Sequence, residues 1–482
     1  MEMKREKMTV VKHAFAVMIV AMLAAVVACS DDDNAGGGNK YVNNWIYDNM
    51  ELYYLWNLDL PKPPSKSIDP NEFFNALLSD QDRFSWIQEN YVELLNSLQG
   101  VNKEAGYEFK LYLESENSEN IIAQVMYIKA GSLADTEDKD LKRGDVITHI
   151  NGTRMTLSNY QTLLGAISEN HTIKYFRPTE EGEVDMGTLS LNTAEFAENP
   201  NFMSKVIDTG NGHKIGYYVY NFFATGPTST SSQYNDEMDA VFSSFKNQGI
   251  TDLIVDLRYN SGGAEGATIN LASLIGDNID NTKIFTKRSY NNDLSAALVS
   301  AYGADILIKK FVTKSQNVGS LLNNSRVYVL TSSRTASASE LLINGLKPTM
   351  DVFIVGDTTI GKNVGSISIY EEDDPKNKWG MQPIVVKSYN SANESNYSEG
   401  FFPDIVSEDN SLLLKPLGDE SEELLSLAID HITGGSGTRQ KNTARSRERI
   451  SIGTSADFKR GSYNLVIDDE RVAGVIKSSL VE

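Results

Sequence analysis

The chain of 482 residues holds one cysteine, five histidines and no apolar run long enough to cross a bilayer. Each scarcity removes a class of function. A single cysteine forbids any disulfide within the chain, so core burial has to hold the fold even in an oxidising compartment. A membrane-spanning helix needs roughly 20 apolar residues, whereas the apolar stretch Ala14 to Ala28 is shorter and follows a basic region, Lys4 to Lys12. That order reads as a signal peptide. No HExxH and no Cys/His cluster is present, which predicts no metal, and nothing calls for another cofactor. There is no GxSxG elbow, and none of His13, His149, His171, His213 and His431 stands in a recognisable serine-hydrolase motif. Basic residues are also in deficit: 44 Lys and Arg against 65 Asp and Glu leave a net charge of -21. Phosphate binding wants a basic surface, so nucleic acid is excluded as a partner.

What is present centres on Ser333 to Ser366. Arg326 to Leu330, RVYVL, has the composition of a buried strand; Thr331 to Ala336 is a turn of small residues; ELLINGLK follows with apolar residues at helical spacing. Ser337 therefore falls where a strand turns into a helix. The first N–H groups of a helix lack partners and the dipole there favours negative charge, which suits an oxyanion beside an exposed hydroxyl nucleophile. A second apolar strand, Val352 to Val355, leads to the turn GDTTIGKNVG carrying Lys362. Burial of a lysine penalises its charged form and makes it a general base for serine. The plainer alternative is a capping box, Ser337 capping and Glu340 reaching back, with Lys362 a solvated loop charge.

ASASELLINGL followed by VGDTTIGKNVGS resembles the signature of the C-terminal processing peptidases, or tail-specific proteases, which use a serine-lysine dyad. DRFSWI at Asp82, GDVITHINGT at Gly144, KIGYYVYNFF at Lys214, DLRYNSGG at Asp256 and GFFPDI at Gly400 match the family in order. The resemblance implies Ser337 as nucleophile and Lys362 as base. It also implies an oxyanion hole from the Ala338 N–H and that of Gly262 or Gly263. Two positions depart from the family: Ser366 stands where many members carry a glutamine that orients the lysine, and Pro348 where some carry an acid. Distant tricorn-like relatives use a histidine, a role for which His213 is the candidate here. Retinoid-binding relatives bind without cutting, so a non-catalytic peptide- or ligand-binding protein is the alternative function. Another amide or ester hydrolase is a third.

The length exceeds a single core and implies several domains. Residues 1–28 are read as a lipoprotein signal peptide, because Val26-Val27-Ala28-Cys29 resembles a lipobox with Cys29 as the lipidated residue. Residues 29–40, polar and glycine-rich, are a tether. Residues 41–100 form a helical N-terminal segment with an aromatic stripe, and residues 101–192 resemble a PDZ domain. Its expected strands are Phe109 to Glu114, Ile121 to Ile128, Asp145 to Ile150 and Thr172 to Phe176, with one helix from Leu157. Gly106, Tyr107 and Phe109 lie where such domains hold a peptide carboxylate. Residues 193–434 alternate strand and helix as the catalytic domain. Within it, 266–324 is longer than the family pattern needs, and SYNNDLSAALVSAYGADILIKKF, Ser289 to Phe311, reads as helices of a lid or substrate-facing insertion. Residues 435–482 are a linker and an extension, in which ERISIG and YNLVID form a hairpin and Ser478 to Glu482 is a candidate to dock in the PDZ-like groove. The expected fold is thus mixed α/β (α+β) and multidomain: a helical cap, a PDZ-like β domain and a ClpP/crotonase-like α/β core. The expected function is a lipid-anchored serine endopeptidase of the outer membrane that acts on unfolded or C-terminally recognised proteins.

Overall fold

Four runs rich in β-branched and aromatic residues, Lys214–Tyr220, Asp252–Asp256, Arg326–Thr331 and Asp351–Gly356, form the parallel centre of a six-stranded sheet. Strands buried on both faces read as near-continuous apolar runs. Here Tyr217, Val219, Ile254, Leu330 and Val355 enter one apolar cluster, while Tyr218, Val255, Val327, Val329 and Ile354 enter another. Helices Gln233–Gln248, Glu265–Ile275 and Ala338–Leu346 cover the second face, and helix Glu423–Ile432 covers the first. Asn201–Asp208 closes one edge antiparallel and Ile405–Val406 the other in parallel. The computed structural model describes residues 32–372, 374–435, 449–455, 465–467, 469, 471 and 472. The signal peptide, Cys29 and Ser478 to Glu482 lie outside the described residues.

The N-terminal region is helical, with helices Asp32–Tyr53, Pro70–Asn75 and Tyr91–Leu98. Residues 32–40, in the stretch read as tether, are the first turns of the longest helix. Its aromatic stripe is core, Trp45, Ile46, Met50 and Tyr54 packing on Phe73, Phe74 and Leu77. A separate antiparallel sheet joins Tyr107–Leu113, Ile121–Ile128, Val146–Ile150, His171–Thr179 and Gly182–Leu191 around helix Tyr160–Gly165 and a core of its own. The last of these strands escaped the sequence reading. GEVDMGTLSL is largely exposed, and pairing with its neighbour rather than composition makes it a strand.

Two expectations need correction. The stretch Ser289 to Phe311 is helical over Asn292–Tyr302 and Ala304–Leu307, as read, but it is packed into the core and is not a lid. Ile284–Tyr290 and Ile308–Lys310 are strands of a second six-stranded sheet, and Leu294, Leu298 and Ile306 lie in the main core. The buried Arg288, paired with Glu265, hid the strand by breaking its apolar pattern. Among the described residues, the two strands of the C-terminal extension do not pair with each other as a hairpin. Ser451–Thr454 pairs with Tyr107–Leu113, whereas Leu465–Val466 joins the second sheet between Gly263–Ala264 and Val364–Ser366.

Candidate active site

Ser337 sits at the N-cap position of helix Ala338–Leu346 with φ 63 and ψ -110. A non-glycine residue held in such a sparsely populated region costs of order 1–3 kcal/mol and persists only where its surroundings impose it. They do so here. Ala336 N–H donates to the Asn260 carbonyl at 3.2 Å, Thr335 Oγ1 to the Leu257 carbonyl at 2.8 Å, and Ser339 Oγ to the Asn260 carbonyl at 3.1 Å. The turn is thereby fastened to the end of the neighbouring strand. Ser337 and Glu340 have the layout of a capping box, but only the glutamate arm closes as a hydrogen bond, Ser337 N–H donating to Oε2 at 2.7 Å. The capping-box layout is present, and the Ser337 hydroxyl is left buried without a hydrogen-bond partner among the described residues.

The same Glu340 Oε2 accepts the Lys362 N–H at 2.8 Å, while Oε1 accepts the Gly361 N–H at 2.6 Å and the Thr359 hydroxyl. One buried carboxylate thus pins the serine turn to the lysine turn. Gly361 is obligatory, since at φ 88 a Cβ would lie 2.1 Å from the Ser398 carbonyl oxygen. Lys362 is buried, its ammonium 5.0 Å from the centre of the Phe84 ring. Burial pushes its pKa down to about 7, against the opposing pull of Asp82 and Glu340. Asp82 is itself held by the Tyr54 hydroxyl at 2.7 Å and the Phe84 N–H at 2.8 Å. Arg83 reaches the Ile360 and Ser398 carbonyls at 3.2 and 3.3 Å, which latches the N-terminal region onto the lysine turn. Asp82 and Phe84 are surroundings of the lysine that sequence reasoning missed, and Glu340 entered it only as a capping residue. Asp82 and Phe84 were visible in the motif DRFSWI, but their nearness to a lysine 280 and 278 positions away along the chain was not.

Strand Asp252–Asp256 ends in a turn shaped by Arg258, fully buried, whose Nε reaches Asp256 at 2.9 Å and whose Nη1 reaches Glu422 at 2.6 Å. Gly262 gives its N–H to Asn260 Oδ1 at 2.9 Å. Gly263, at φ 139, runs so close to Phe223 that a Cβ would lie 2.0 Å from its carbonyl oxygen. Ser366 is buried at the end of strand Val364–Ser366, four residues past the lysine. Glu340 thus joins the turns of Ser337 and Lys362, and the Asn260 carbonyl joins the serine turn to the Gly262–Gly263 turn, at the carboxyl ends of the strands. His213 is not there. It bonds Asp252 at 2.8 Å where those strands begin, at the opposite end of the sheet.

Tyr107 and Phe109 lie on the separate antiparallel sheet, and Gly106 is in the bend that leads into it. The Tyr107 and Phe109 rings are core, Tyr107 bonding His171 at 2.9 Å, while the Phe109 N–H donates to Ser455 Oγ at 3.1 Å. Glu108 is paired with buried Lys129 at 3.0 Å, which Glu104 and Glu198 also hold, so it carries no loose charge in the groove.

Residues 214–407 match Peptidase family S41, and residues 41–86 match the Peptidase S41 N-terminal domain. The chain is 26% identical over 246 residues to a carboxyl-terminal-processing protease of Picosynechococcus, across 51% of each protein, and so spans about half the length of that relative. It is 25% identical over 337 residues to the one of Synechocystis, across 68% of this chain and 69% of that one. A solved structure assigned to the S41 proteases, from Bacteroides fragilis, matches at a TM-score of 0.66 and 26% identity, covering 81% of this chain and 97% of that one. In residues 41–86 and 214–407 alike, the chain matches peptidase family S41, and it is similar to the carboxyl-terminal-processing proteases.

Proposed function

We propose that the protein is a serine endopeptidase working through Ser337 and Lys362. The observation that carries this is the buried, unpartnered Ser337 hydroxyl on a strained turn that Glu340 ties to a lysine depressed to about 7. Lys362 is then largely neutral at mildly alkaline pH. Its Nζ takes the Ser337 proton as Oγ bonds to the peptide carbonyl carbon, and returns that proton to the leaving nitrogen as the C–N bond breaks. Water, activated by the same amine, hydrolyses the acyl-serine and frees Ser337. The Ala338 N–H, first of its helix, and the Gly263 N–H are the oxyanion donors in this reading, because Gly262 spends its own N–H on Asn260. Ser366, close behind the lysine, takes the place of the family's orienting glutamine.

Substrates are extended or unfolded polypeptides. The antiparallel sheet acts as a PDZ-like unit that recognises a carboxyl-terminal peptide along the Tyr107–Leu113 edge, through backbone groups such as the Phe109 N–H, with the Gly106–Tyr107 loop at its end. The basic and apolar leader ending at Cys29 supports a location in the cell envelope with a lipid anchor in the outer membrane. Incubating the full chain with an unfolded protein between about pH 6 and 9 tests the mechanism, with Ser337→Ala and Lys362→Ala as controls. Cleavage should rise with pH and vanish in both variants; cleavage surviving either substitution removes the dyad.

A further inference from the structure

Among the described residues, the C-terminal extension adds a strand to the rest of the protein at two places, and both are suited to an extended peptide. Strand Ser451–Thr454 lies antiparallel along Tyr107–Leu113, with Ser451 opposite Tyr112 and Thr454 opposite Lys110. The Leu113 N–H donates to the Ile450 carbonyl at 3.0 Å, and Ser455 Oγ accepts the Phe109 N–H at 3.1 Å. Addition to a free sheet edge is how folded domains capture extended peptides. The extension therefore occupies the edge that a peptide would need.

Its second contact is the catalytic cleft. Leu465–Val466 is inserted between Gly263–Ala264 and Val364–Ser366, parallel to both, with Leu465 opposite Gly263 and Val466 opposite Ala264 and Ser366. The Ile467 N–H donates to the Ser366 carbonyl at 2.9 Å. A scissile segment has to lie between its oxyanion donors and its base, and the two flanking strands are the one that carries Gly263 and the one that begins two residues after Lys362. Past the strand, Ile467 is buried in the main apolar cluster, and the Asp469 carboxylate is held by Lys309 Nζ at 2.9 Å and Arg288 Nη1 at 3.3 Å. Arg471, from the same segment, adds a contact at 2.8 Å. Arg288 and Lys309 belong to the sheet that forms the cleft, so they remain there when the segment leaves.

We propose that two described pieces of the extension, residues 449–455 and 465–467 with Asp469, are a tethered substrate mimic. They fill both peptide-binding edges, and they report the cleft's preference: an extended peptide with an aliphatic side chain at the Ile467 position and a carboxylate two residues further on. The cleft's role as a substrate site rests on the peptidase reading above. A tethered segment competes at an effective concentration of about millimolar. A substrate terminus adding to Tyr107–Leu113 has to displace Ser451–Thr454 first, which couples recognition at the small unit to opening of the cleft.

The test separates occupancy from catalysis. In the full chain carrying Ser337→Ala, a fluorescent peptide of sequence 449–472 should bind about tenfold tighter once Asp469→Asn loosens the tethered copy, the scale of one lost charge-assisted bond. A peptide that itself carries Asp469→Asn should bind that loosened chain about tenfold more weakly than the native sequence. Equal affinities in either comparison overturn the proposal. With Ser337 intact, Asp469→Asn should cleave an unfolded protein faster than the parent chain. A chain that only melts earlier, with no gain in rate or binding, shows a merely structural segment and also overturns it. Should Asp469→Asn fail to fold, a Lys110→Cys/Thr454→Cys disulfide clamps the extension on its edge. Cleavage should then be slow when oxidised and recover on reduction, and equal rates in the two states defeat the idea. If no variant cleaves yet both binding ratios hold, the peptidase reading falls while the assigned occupancy stands.

Discussion

Replacing Lys362 by methionine puts the electrostatics of the site to a quantitative test. Burial takes the lysine from 10.5 to about 7. At about 1.4 kcal/mol per pKa unit, the charged form costs roughly 5 kcal/mol more in the fold than in water. The folded pKa lies below the unfolded one, so between these values the unfolded state holds a proton that the native state lacks. Stability then rises with pH across that window, and the full cost is carried below about pH 7. Methionine fills similar space without titrating. Urea denaturation should therefore find Lys362→Met more stable than the parent by several kcal/mol near pH 6, the advantage shrinking toward pH 10. The enzymatic counterpart is a kcat/KM that climbs about tenfold per pH unit below the lysine's pKa and flattens above about 7. A stability difference independent of pH, or a rate midpoint near the ordinary lysine value, would refute the reasoning.

Asp82→Asn removes a charge that holds the Lys362 pKa up, so the midpoint of the pH-rate profile should move to lower pH; an unmoved midpoint separates Asp82 from the lysine. Glu340→Gln cannot accept at both oxygens, and it leaves buried donors of the serine and lysine turns unpaired at about 1–3 kcal/mol each. Urea midpoints should fall accordingly, and kcat should fall with them. Gly263→Ala drives a Cβ to 2.0 Å from the Phe223 carbonyl, so kcat should collapse while the far-ultraviolet circular dichroism stays native. Lys129→Met strands the carboxylates of Glu104, Glu108 and Glu198 together in a buried pocket. It should destabilise the small sheet by about 3–5 kcal/mol in a thermal melt.

Much of this was legible in the chain itself. RVYVL, DLIVD and KIGYYVY announced central strands, because a strand covered on both faces has to be apolar throughout. ASASELLINGL announced a strand-to-helix turn with serine at its start. Local composition settles such elements. It could not tell a capping serine from a nucleophile, since that difference is the conformation of one residue and the partner of one hydroxyl. It could not say that Glu340 fastens Lys362, that Phe84 and Asp82 set its environment, or that Gly262 is already engaged. These contacts join residues far apart in sequence, and no local pattern encodes them. The strand Ile284–Tyr290 was masked by a buried arginine whose partner, Glu265, lies on another element. The extension shows the divide most plainly. ERISIG and YNLVID read as strands, and short strands they are. Their partners were decided only where folding left two unfilled edges, because a strand's backbone groups must be paired and sequence does not name the edge that pairs them.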